Sequence, residues 1–366
     1  MLLTKNTKRI SLAVLSTILL SACGGSNAQS YNTSSGEMME LGIDNPICQE
    51  GTAQHEGQVL DNSNKGIENV TITVDGCSVQ TDKNGNYKLE NIVTRNRTSV
   101  TYEKEGYTKN SAIVNIKNTT SNYLEATLKT SDKPWYFNSK EGAKGGAVII
   151  SDTTKYTRDG NIHKGDIKAY YTLKNTSTKE GRDLLPGTYQ GIDINQNIVS
   201  FVSYAFFNLE LKDTEGNKLN AMGDIEVTVG NIKNIKDETI PLWNYNYDRG
   251  IWVEKGVAYR DENGNYICNI PHSGTWSLSK PIEREMGLYK GYIVDENDNP
   301  ITNVRIKAMA ENWVGQDITT DENGEFSVYI VPNKTFTLSA YDYKEKYGAD
   351  FPGTIAAIAS GDIVEE

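Results

Sequence analysis

The chain has 366 residues, which is too long for one ordinary domain and predicts two or three domains. Its 37 Lys and Arg residues against 48 Asp and Glu residues give a net charge of −11, and this acidity makes nucleic acid an unsuitable partner. The 21 Tyr and 32 Gly residues, with many Thr, Asn and Val residues, favour strands joined by turns and exclude an all-helical protein.

Residues 1–22 have the pattern of a secretion signal. Lys5, Lys8 and Arg9 precede an apolar stretch over residues 10–20, which is too short to span a bilayer securely. Removal of this segment leaves 34 basic residues against 48 acidic ones and a mature net charge of −14. We therefore expect everything after residue 22 to be exported.

The end of this signal, Leu20-Ser21-Ala22-Cys23-Gly24, resembles the bacterial lipobox. The resemblance implies that signal peptidase II cuts before Cys23 and that Cys23 carries acyl chains, which anchor the protein stably in a membrane. Gly24 after the cysteine is compatible with the outer membrane, as in the proteobacterial lipoproteins that this segment resembles. Residues 23–45 are polar and rich in Gly, Ser and Asn, and we expect them to form a flexible tether. The alternative is an ordinary signal peptide with an incidental cysteine.

The chain contains an internal repeat. Residues 57–72 recur at residues 291–306 with an offset of 234, and residues 81–87 recur at residues 320–326 with an offset of 239. The second copy therefore has five extra residues, which we expect to form a longer loop around Glu311 to Gly315. Each copy alternates apolar and polar residues and contains an Asn-Gly pair, the pattern of antiparallel strands joined by hairpin turns.

The repeated pattern resembles the carboxypeptidase regulatory-like family. It reads Gly-x-Val/Ile-x-Asp, then Ile-x-x-Val-x-Ile, then Thr-Asp-x-x-Gly-x-Tyr/Phe, and it covers residues 46–129 and 287–366. The resemblance implies a seven-stranded, transthyretin-like Greek-key sandwich that performs no chemistry itself and usually accompanies a catalytic, transport or adhesive partner. The first copy has Gly106-Tyr107 near its end, whereas the second has Tyr341-Asp342 near that place.

The middle segment, residues 130–286, also reads as an all-β domain. Four strands are predicted, with no helix between them, at residues 147–150, 167–173, 198–207 and 225–229. The later Pro-Leu-Trp, Gly-x-Trp and Glu-x-Gly signposts make this segment similar to the one that separates transthyretin-like units in cartilage intermediate layer protein, although its His-Ser-Gly-Thr-Trp stretch departs from the His-x-x-Trp pattern found there. Its earlier strands resemble a ZU5-like sandwich. The fold class we predict is all-β, with tandem antiparallel sandwiches on either side of a middle sandwich and modest contacts between them.

Three tryptophans of the middle segment, Trp243, Trp252 and Trp276, allow two interpretations. Flat aromatic faces flanked by polar groups form platforms for sugar rings, so the three could be a ligand site. Large aromatic residues are also the usual anchors of a two-sheet core, and this packing interpretation is favoured.

The cysteines fit an oxidising compartment. With Cys23 set aside, Cys48 and Cys77 lie 29 positions apart within one small domain and are candidates for a disulfide, while Cys268 would remain a free buried thiol. The alternative is that all three are reduced core residues.

No catalytic or metal-binding motif stands out. The sequence has no Gly-x-Ser-x-Gly, His-Glu-x-x-His or Cys-x-x-Cys, and its three histidines lie in different contexts. The Asp- and Asn-rich segments at Asp82, Asp295 and Asp321 resemble calcium loops, but each lacks the following helix and is better explained by Asx turns. We expect no catalysis, no cofactor and no metal.

The resulting prediction is a noncatalytic lipoprotein of the bacterial cell envelope, on the periplasmic or the exterior side of the outer membrane. Its sandwiches would form a modular rod for adhesion or for binding a protein or glycan. The alternative is an accessory or substrate-capturing component of a transport or polysaccharide system, with the three tryptophans in the site. A hydrolase is a third, less favoured alternative.

Overall fold

The computed structural model describes residues 48–118, 122–230, 232, 235–342, 347–350 and 354–365. The predicted signal, the tether and Cys23 lie outside these residues. The described chain is almost entirely β-strand, so the all-β prediction is confirmed. It divides into two compact units, a larger one that ends at Pro281 and a smaller one that begins at Ile282. No helix within the described ranges is long and apolar enough to cross a bilayer.

The first copy of the repeat forms a sandwich of two sheets. Its strands are β1 (Ala53–Leu60), β2 (Thr71–Val74), β3 (Cys77–Gln80), β4 (Asn86–Ile92), β5 (Arg95–Glu103), β6 (Asn110–Ile116) and β7 (Tyr123–Thr127). One sheet has the order β4-β1-β7 and the other β3-β2-β5-β6. Pairing is antiparallel except between β1 and β7, which run parallel. Alternate residues such as Ile72 and Val74 point into one core, as the period-2 pattern predicts.

The middle segment forms one continuous hydrogen-bonded sheet of 14 strands. These are β8 (Trp135–Asn138), β9 (Ala143–Gly145), β10 (Val148–Ile150), β11 (Lys155–Arg158), β12 (Asn161–Ile162), β13 (Asp166–Asn175), β14 (Gln190–Ile192), β15 (Ile198–Asp213), β16 (Lys218–Met222), β17 (Ile225–Val229), β18 (Thr239–Asn246), β19 (Ile251–Arg260), β20 (Tyr266–Ile270) and β21 (Gly274–Pro281). The long strand β15 pairs with β13, β14, β16 and β21. Strands from both ends of the sheet contribute to one core cluster, so the sheet curves around its own apolar face.

The absence of a helix in the middle segment was predicted, and this prediction is wrong in one place. A short helix, α1 (Lys179–Leu184), follows β13. Thr178 caps it, because its hydroxyl accepts a hydrogen bond from the Gly181 backbone N–H at 3.0 Å. Six residues give no helical periodicity, which is why the sequence pattern did not reveal it.

The second copy repeats the architecture of the first. Its strands are β22 (Gly287–Tyr292), β23 (Arg305–Ala310), β24 (Trp313–Val314), β25 (Ile318–Thr319), β26 (Glu325–Ile330), β27 (Phe336–Asp342), β28 (Tyr347–Asp350) and β29 (Ile363–Glu365). One sheet has the order β26-β22-β29 with a parallel β22–β29 pair, and the other places β23 between β24 and β27. The five-residue insertion is not the long loop that we predicted. It extends β23 to Ala310 and forms β24, whose Trp313 is buried.

Five-residue aspartate turns close many of the hairpins. In the first copy, Asp82 Oδ1 accepts hydrogen bonds from the backbone N–H groups of Asn84 and Asn86, both at 2.8 Å, and Gly85 has a φ of 80°. The same arrangement begins at Asp61, Asp193, Asp213, Asp261, Asp295 and Asp321. The carboxylates thus bond their own turns, as the Asx interpretation predicts. Within the described ranges, no group of three His, Cys, Asp or Glu residues is placed to hold a metal ion.

Candidate binding cleft

The three tryptophans lie in the core of the middle segment. Trp243, Trp252 and Trp276 are each 0% exposed. Trp243 donates its indole N–H to the Ser279 carbonyl at 2.9 Å, and Trp252 donates to the Pro186 carbonyl at 3.1 Å. A sugar platform needs an exposed ring face, so the platform interpretation is withdrawn in favour of packing.

The two candidate disulfide cysteines lie together in the first copy. Cys48 and Cys77 are joined by a disulfide with a Cα–Cα distance of 4.5 Å. The bridge ties the residues before β1 to the start of β3. Cys268 is a free thiol with 0% exposure, and burial raises its pKa to about 12, so it is unsuited to act as a nucleophile.

The first copy docks on the middle segment through the outer face of β5 and β6. Arg97 donates from its two terminal nitrogens to the carbonyls of Arg249, at 3.0 Å, and Gly250, at 2.7 Å. The Ser99 hydroxyl donates to the Tyr247 carbonyl at 2.8 Å. A single guanidinium therefore satisfies two carbonyls at the tip of the β18–β19 hairpin, and the hairpin is held against the first sandwich.

The same junction includes buried hydroxyl contacts and a close backbone approach. The hydroxyls of Ser111 and Tyr245 are 3.0 Å apart, and the Ser111 carbonyl accepts from the Gly187 N–H at 2.8 Å. A Cβ at Gly250 would lie 2.4 Å from Ile113, so this position is restricted to glycine by contact as well as by its φ of 60°. The predicted modest contact between these two domains is thus corrected to a packed, hydrogen-bonded junction.

A polar cleft of about 270 Å³ opens beside this junction. The first copy contributes the turn between β5 and β6, and the middle segment contributes β15, β16 and the turn between them. Tyr107 and Gly216 line it together with seven charged residues, Glu103, Lys104, Glu105, Lys109, Glu210, Lys212 and Lys218. Four lysines and three glutamates give the lining a net positive charge in a chain whose total is −11. The cleft therefore differs in electrostatic character from the protein as a whole.

Ion pairs fix part of this lining. Lys109 Nζ lies 2.9 Å from Glu103 Oε2 and 4.7 Å from the centre of the Tyr247 ring. Lys212 Nζ lies 3.3 Å from Glu210 Oε1. These contacts hold both lysines in place before any ligand arrives.

Glu103 reports the positive potential of the cleft. Burial by itself would raise the pKa of Glu103, but Lys109, then Lys218 and Lys212, outweigh this effect and lower the pKa. The carboxylate is contributed by the first copy, whereas Lys212 and Lys218 belong to the middle segment. A negative group at this point is consequently stabilised by lysines from both domains.

Sequence reasoning did not identify the cleft. Its charged residues come from two domains, and they lie at exposed or half-exposed positions of strands and turns, where charge is ordinary. The visible signal was the alternation of Glu210 and Lys212 with buried leucines along β15, which predicts a polar face without saying what lies opposite it.

The sequence matches no known protein family, and no curated protein is significantly similar to it. Among solved structures, it has 12% identity and a TM-score of 0.21 to the Bacillus anthracis TIE protein, with 86% of this chain and 50% of that one covered. It has 12% identity and a TM-score of 0.17 to the major pilin subunit of Bacillus cereus, over 87% of this chain and 98% of that one. It has 11% identity and a TM-score of 0.17 to a streptococcal ancillary pilin, over 85% of this chain and 98% of that one.

The chain thus spans about half the length of the TIE protein. With TM-scores of 0.21 and below, these likenesses provide no evidence on fold or function.

Proposed function

We propose that the protein is a noncatalytic lipoprotein of the bacterial cell envelope that binds a glycan or protein ligand through the cleft between its first repeat copy and its middle segment. The lipobox-like Leu20–Gly24 segment supports lipid attachment at Cys23 and an outer-membrane location. The repeated pattern supports membership of the carboxypeptidase regulatory-like family, whose domains perform no chemistry themselves.

The observation that carries the proposal is the construction of the cleft. Its lysines and glutamates come from two domains, and the Arg97 junction holds those domains together. A concave, preorganised polar surface is what a binding protein needs in order to limit the entropy lost on association. The alternative, capture of a substrate for transport or polysaccharide processing, loses the site first considered for it because the three tryptophans are buried, and this cleft could serve it instead.

The anchor is tested by changing the cysteine. Cys23→Ser should release the mature protein from the detergent phase or leave the signal uncleaved, and inhibition of signal peptidase II should accumulate precursor. If Cys23→Ser leaves both the cleavage of the signal and the partition into the detergent phase unchanged, lipid anchoring at Cys23 is refuted. Protease treatment of intact cells then distinguishes an exterior location from a periplasmic one.

The cleft is tested by filling it. Glu105→Trp places a large side chain at an exposed position of the lining, and Glu262→Trp places the same side chain at an exposed position elsewhere in the larger unit. Binding to an array of glycans and immobilised proteins should be lost in Glu105→Trp and kept in Glu262→Trp. Equal binding by the two variants would show that the cleft is not the site.

A further inference from the structure

We infer that the ligand of this cleft is an acidic polysaccharide, a chain of hydroxyl-rich sugars that carries carboxylate or sulfate groups. The inference rests on the proposed function, and it names the chemical class that the site selects. The inference is argued from the register of three strands, which aligns three lysine residues. This observation is separate from the shape of the cleft.

Three lysines lie side by side across the sheet. Lys212 on β15 is the direct partner of Lys168 on β13 and of Lys218 on β16. Side chains at such paired positions project from the same face with Cβ atoms about 5 Å apart, and like charges there repel each other. A row of three cations across adjacent strands is unfavourable in the free protein unless an anion lies over it.

The protein compensates this row only in part. Glu210 pairs with Lys212, and the Lys168 ammonium group donates to the Thr214 carbonyl at 2.9 Å. Among the described residues, Lys218 makes no ion pair with a carboxylate within 4 Å, although it lies near enough to Glu103 to lower the pKa of that residue. The Lys218 ammonium group thus lines the cleft without a carboxylate partner in this row and is placed to bind an external anion.

The remaining lining favours a sugar chain over a peptide. Tyr107 is the single aromatic residue of the lining, and its other members are charged residues and Gly216. The lining therefore has no apolar pocket for the side chains of a peptide. Glutamate carboxylates beside the lysines can accept hydrogen bonds from sugar hydroxyls while the lysines bind the acidic groups. An acidic polysaccharide presents both kinds of group at short intervals.

The test compares charged and uncharged polysaccharides on the detergent-solubilised full-length protein, with dextran and dextran sulfate as the pair that shares one backbone. Dextran sulfate and polygalacturonate supply sulfate and carboxylate groups, and unmodified dextran supplies neither. Either acidic probe should bind, with an affinity that falls steeply as salt rises because the interaction is screened. Which of the two binds more tightly identifies the anionic group.

Lys218→Glu should weaken binding of the acidic probe about tenfold or more, because a charge-assisted contact is replaced by repulsion. Lys255→Glu, an exposed change of the same charge on β19, should leave the affinity within about twofold, since exposed charges away from the site are screened. Both variants should melt as the wild type does, because Lys218 and Lys255 are exposed.

Two outcomes would overturn the inference. Binding of unmodified dextran that is blocked by Glu105→Trp but unaffected by salt or by Lys218→Glu would leave the proposed function intact and refute the acidic ligand. Tight, Lys218-dependent binding of poly-glutamate without binding of either acidic polysaccharide would assign the cleft to an acidic protein segment instead.

Discussion

The two copies of the repeat share one architecture and differ in residues of their cores and outer faces. Each has a three-stranded sheet with a parallel pair between its first and last strands, and a second sheet packed on it. Gly85 and Gly324 occupy equivalent turns with φ angles of 80° and 75°. The turns and the alternation of apolar residues therefore specify the fold, and the remaining residues are free to differ.

The cores of the two copies differ in the side chains at equivalent buried positions. In the first copy, the Tyr87 hydroxyl lies 3.0 Å from His55 Nε2 and 3.3 Å from the Tyr102 hydroxyl, so a polar trio is buried and hydrogen-bonded. In the second copy, the equivalents of His55 and Tyr87 are Tyr289 and Phe326, and these rings pack together at 6.2 Å. One sandwich accommodates either a hydrogen-bonded or an aromatic centre.

The outer faces differ in a way that explains the docking of the first copy. In the strand register, Glu103 lies opposite Thr71 in the first copy, and Tyr341 lies opposite Arg305 in the second. Arg305 is the equivalent of Thr71 at an offset of 234, so Tyr341 is the counterpart of Glu103. By the same register, the counterpart of Arg97 is Thr335. The second copy therefore lacks both the guanidinium that holds the β18–β19 hairpin and the carboxylate that lines the cleft. The residues that dock the first copy therefore belong to one of its faces and are not supplied by the fold that the two copies share.

The largest effect should come from the equivalent glycines. A Cβ at Gly85 would lie 2.3 Å from the Val59 carbonyl oxygen, and one at Gly324 would lie 2.5 Å from the Ile293 carbonyl oxygen. Gly85→Val and Gly324→Val should each lower the free energy of unfolding by about 3 kcal/mol or more, because strain at positive φ adds to a clash with the backbone. Calorimetry should show that each variant destabilises a different unit.

The second question is how far the destabilisation by Gly85→Val extends beyond the first copy. Gly85→Val should also reduce hydrogen-exchange protection in the middle segment, because the first copy is docked there. The modest contacts predicted from the sequence would instead confine the effect to the first copy. Gly160→Val is the matched control, since Gly160 has a φ of 80° and no atom within 4 Å of a built Cβ. A larger loss of stability in Gly160→Val than in Gly85→Val would contradict the clash.

The disulfide should give the next largest effect. The double change Cys48→Ser and Cys77→Ser should cost the larger unit about 3 to 4 kcal/mol, because it restores the conformational freedom of the unfolded loop between them. The second copy has Ile282 and Glu311 at the equivalent positions, so reductant should leave its transition in place. Urea unfolding with and without reductant measures both. Alkylation of Cys48 and Cys77 without prior reduction would refute the bridge.

Replacing Arg97 with its counterpart from the second copy should loosen the junction. Arg97→Thr removes two charge-assisted hydrogen bonds to the β18–β19 hairpin and should cost about 2 kcal/mol, so that the first copy and the middle segment unfold separately. Arg95→Thr is the control, because Arg95 pairs at 2.6 Å with the part-buried Asp75 inside the first copy, so its loss leaves the hydrogen bonds of the junction in place. A single transition in Arg97→Thr would show that other contacts couple the two domains.

Local features of the fold could be predicted from the sequence, whereas the way segments combine could not. Alternation, the Asn-Gly pairs and the repeat identified the strands of both copies, because each signal lies within a few residues. The continuous sheet of the middle segment depends on which strands pair over long sequence distances. The insertion after Ala310 forms a strand because Trp313 packs into the core of the second copy. Predicting the cleft would have required both the strand pairing of the middle segment and the docking of the first copy. Lys218 can be recognised as part of a site only when its partners across β15 and its neighbours from the first copy are known.

The smallest effect should be the acid sensitivity of one turn. Asp213 begins an aspartate turn of the same kind as those at Asp82 and Asp321, and it also accepts from Arg158 at 2.8 Å. The side chain of Asn217 contributes most to lowering the pKa of Asp213 to about 2, and the backbone N–H groups of the turn and Arg158 contribute further. Because the unfolded carboxyl has a pKa of about 4, the unfolded chain takes up the proton first as the pH falls.

The stability that Asp213 contributes is therefore complete above about pH 4 and is lost as the pH falls toward 2. Asp213→Asn cannot titrate, so its free energy of unfolding should fall less steeply than that of the wild type between these values. Asp82→Asn, in a turn without an arginine donor, should flatten the curve less. Urea unfolding followed by tryptophan fluorescence at several acidic pH values gives the three slopes. Parallel curves for wild type and Asp213→Asn would show that Asp213 contributes no pH-dependent stability, and equal slopes for Asp213→Asn and Asp82→Asn would show that the Arg158 contact adds nothing to that of the turn.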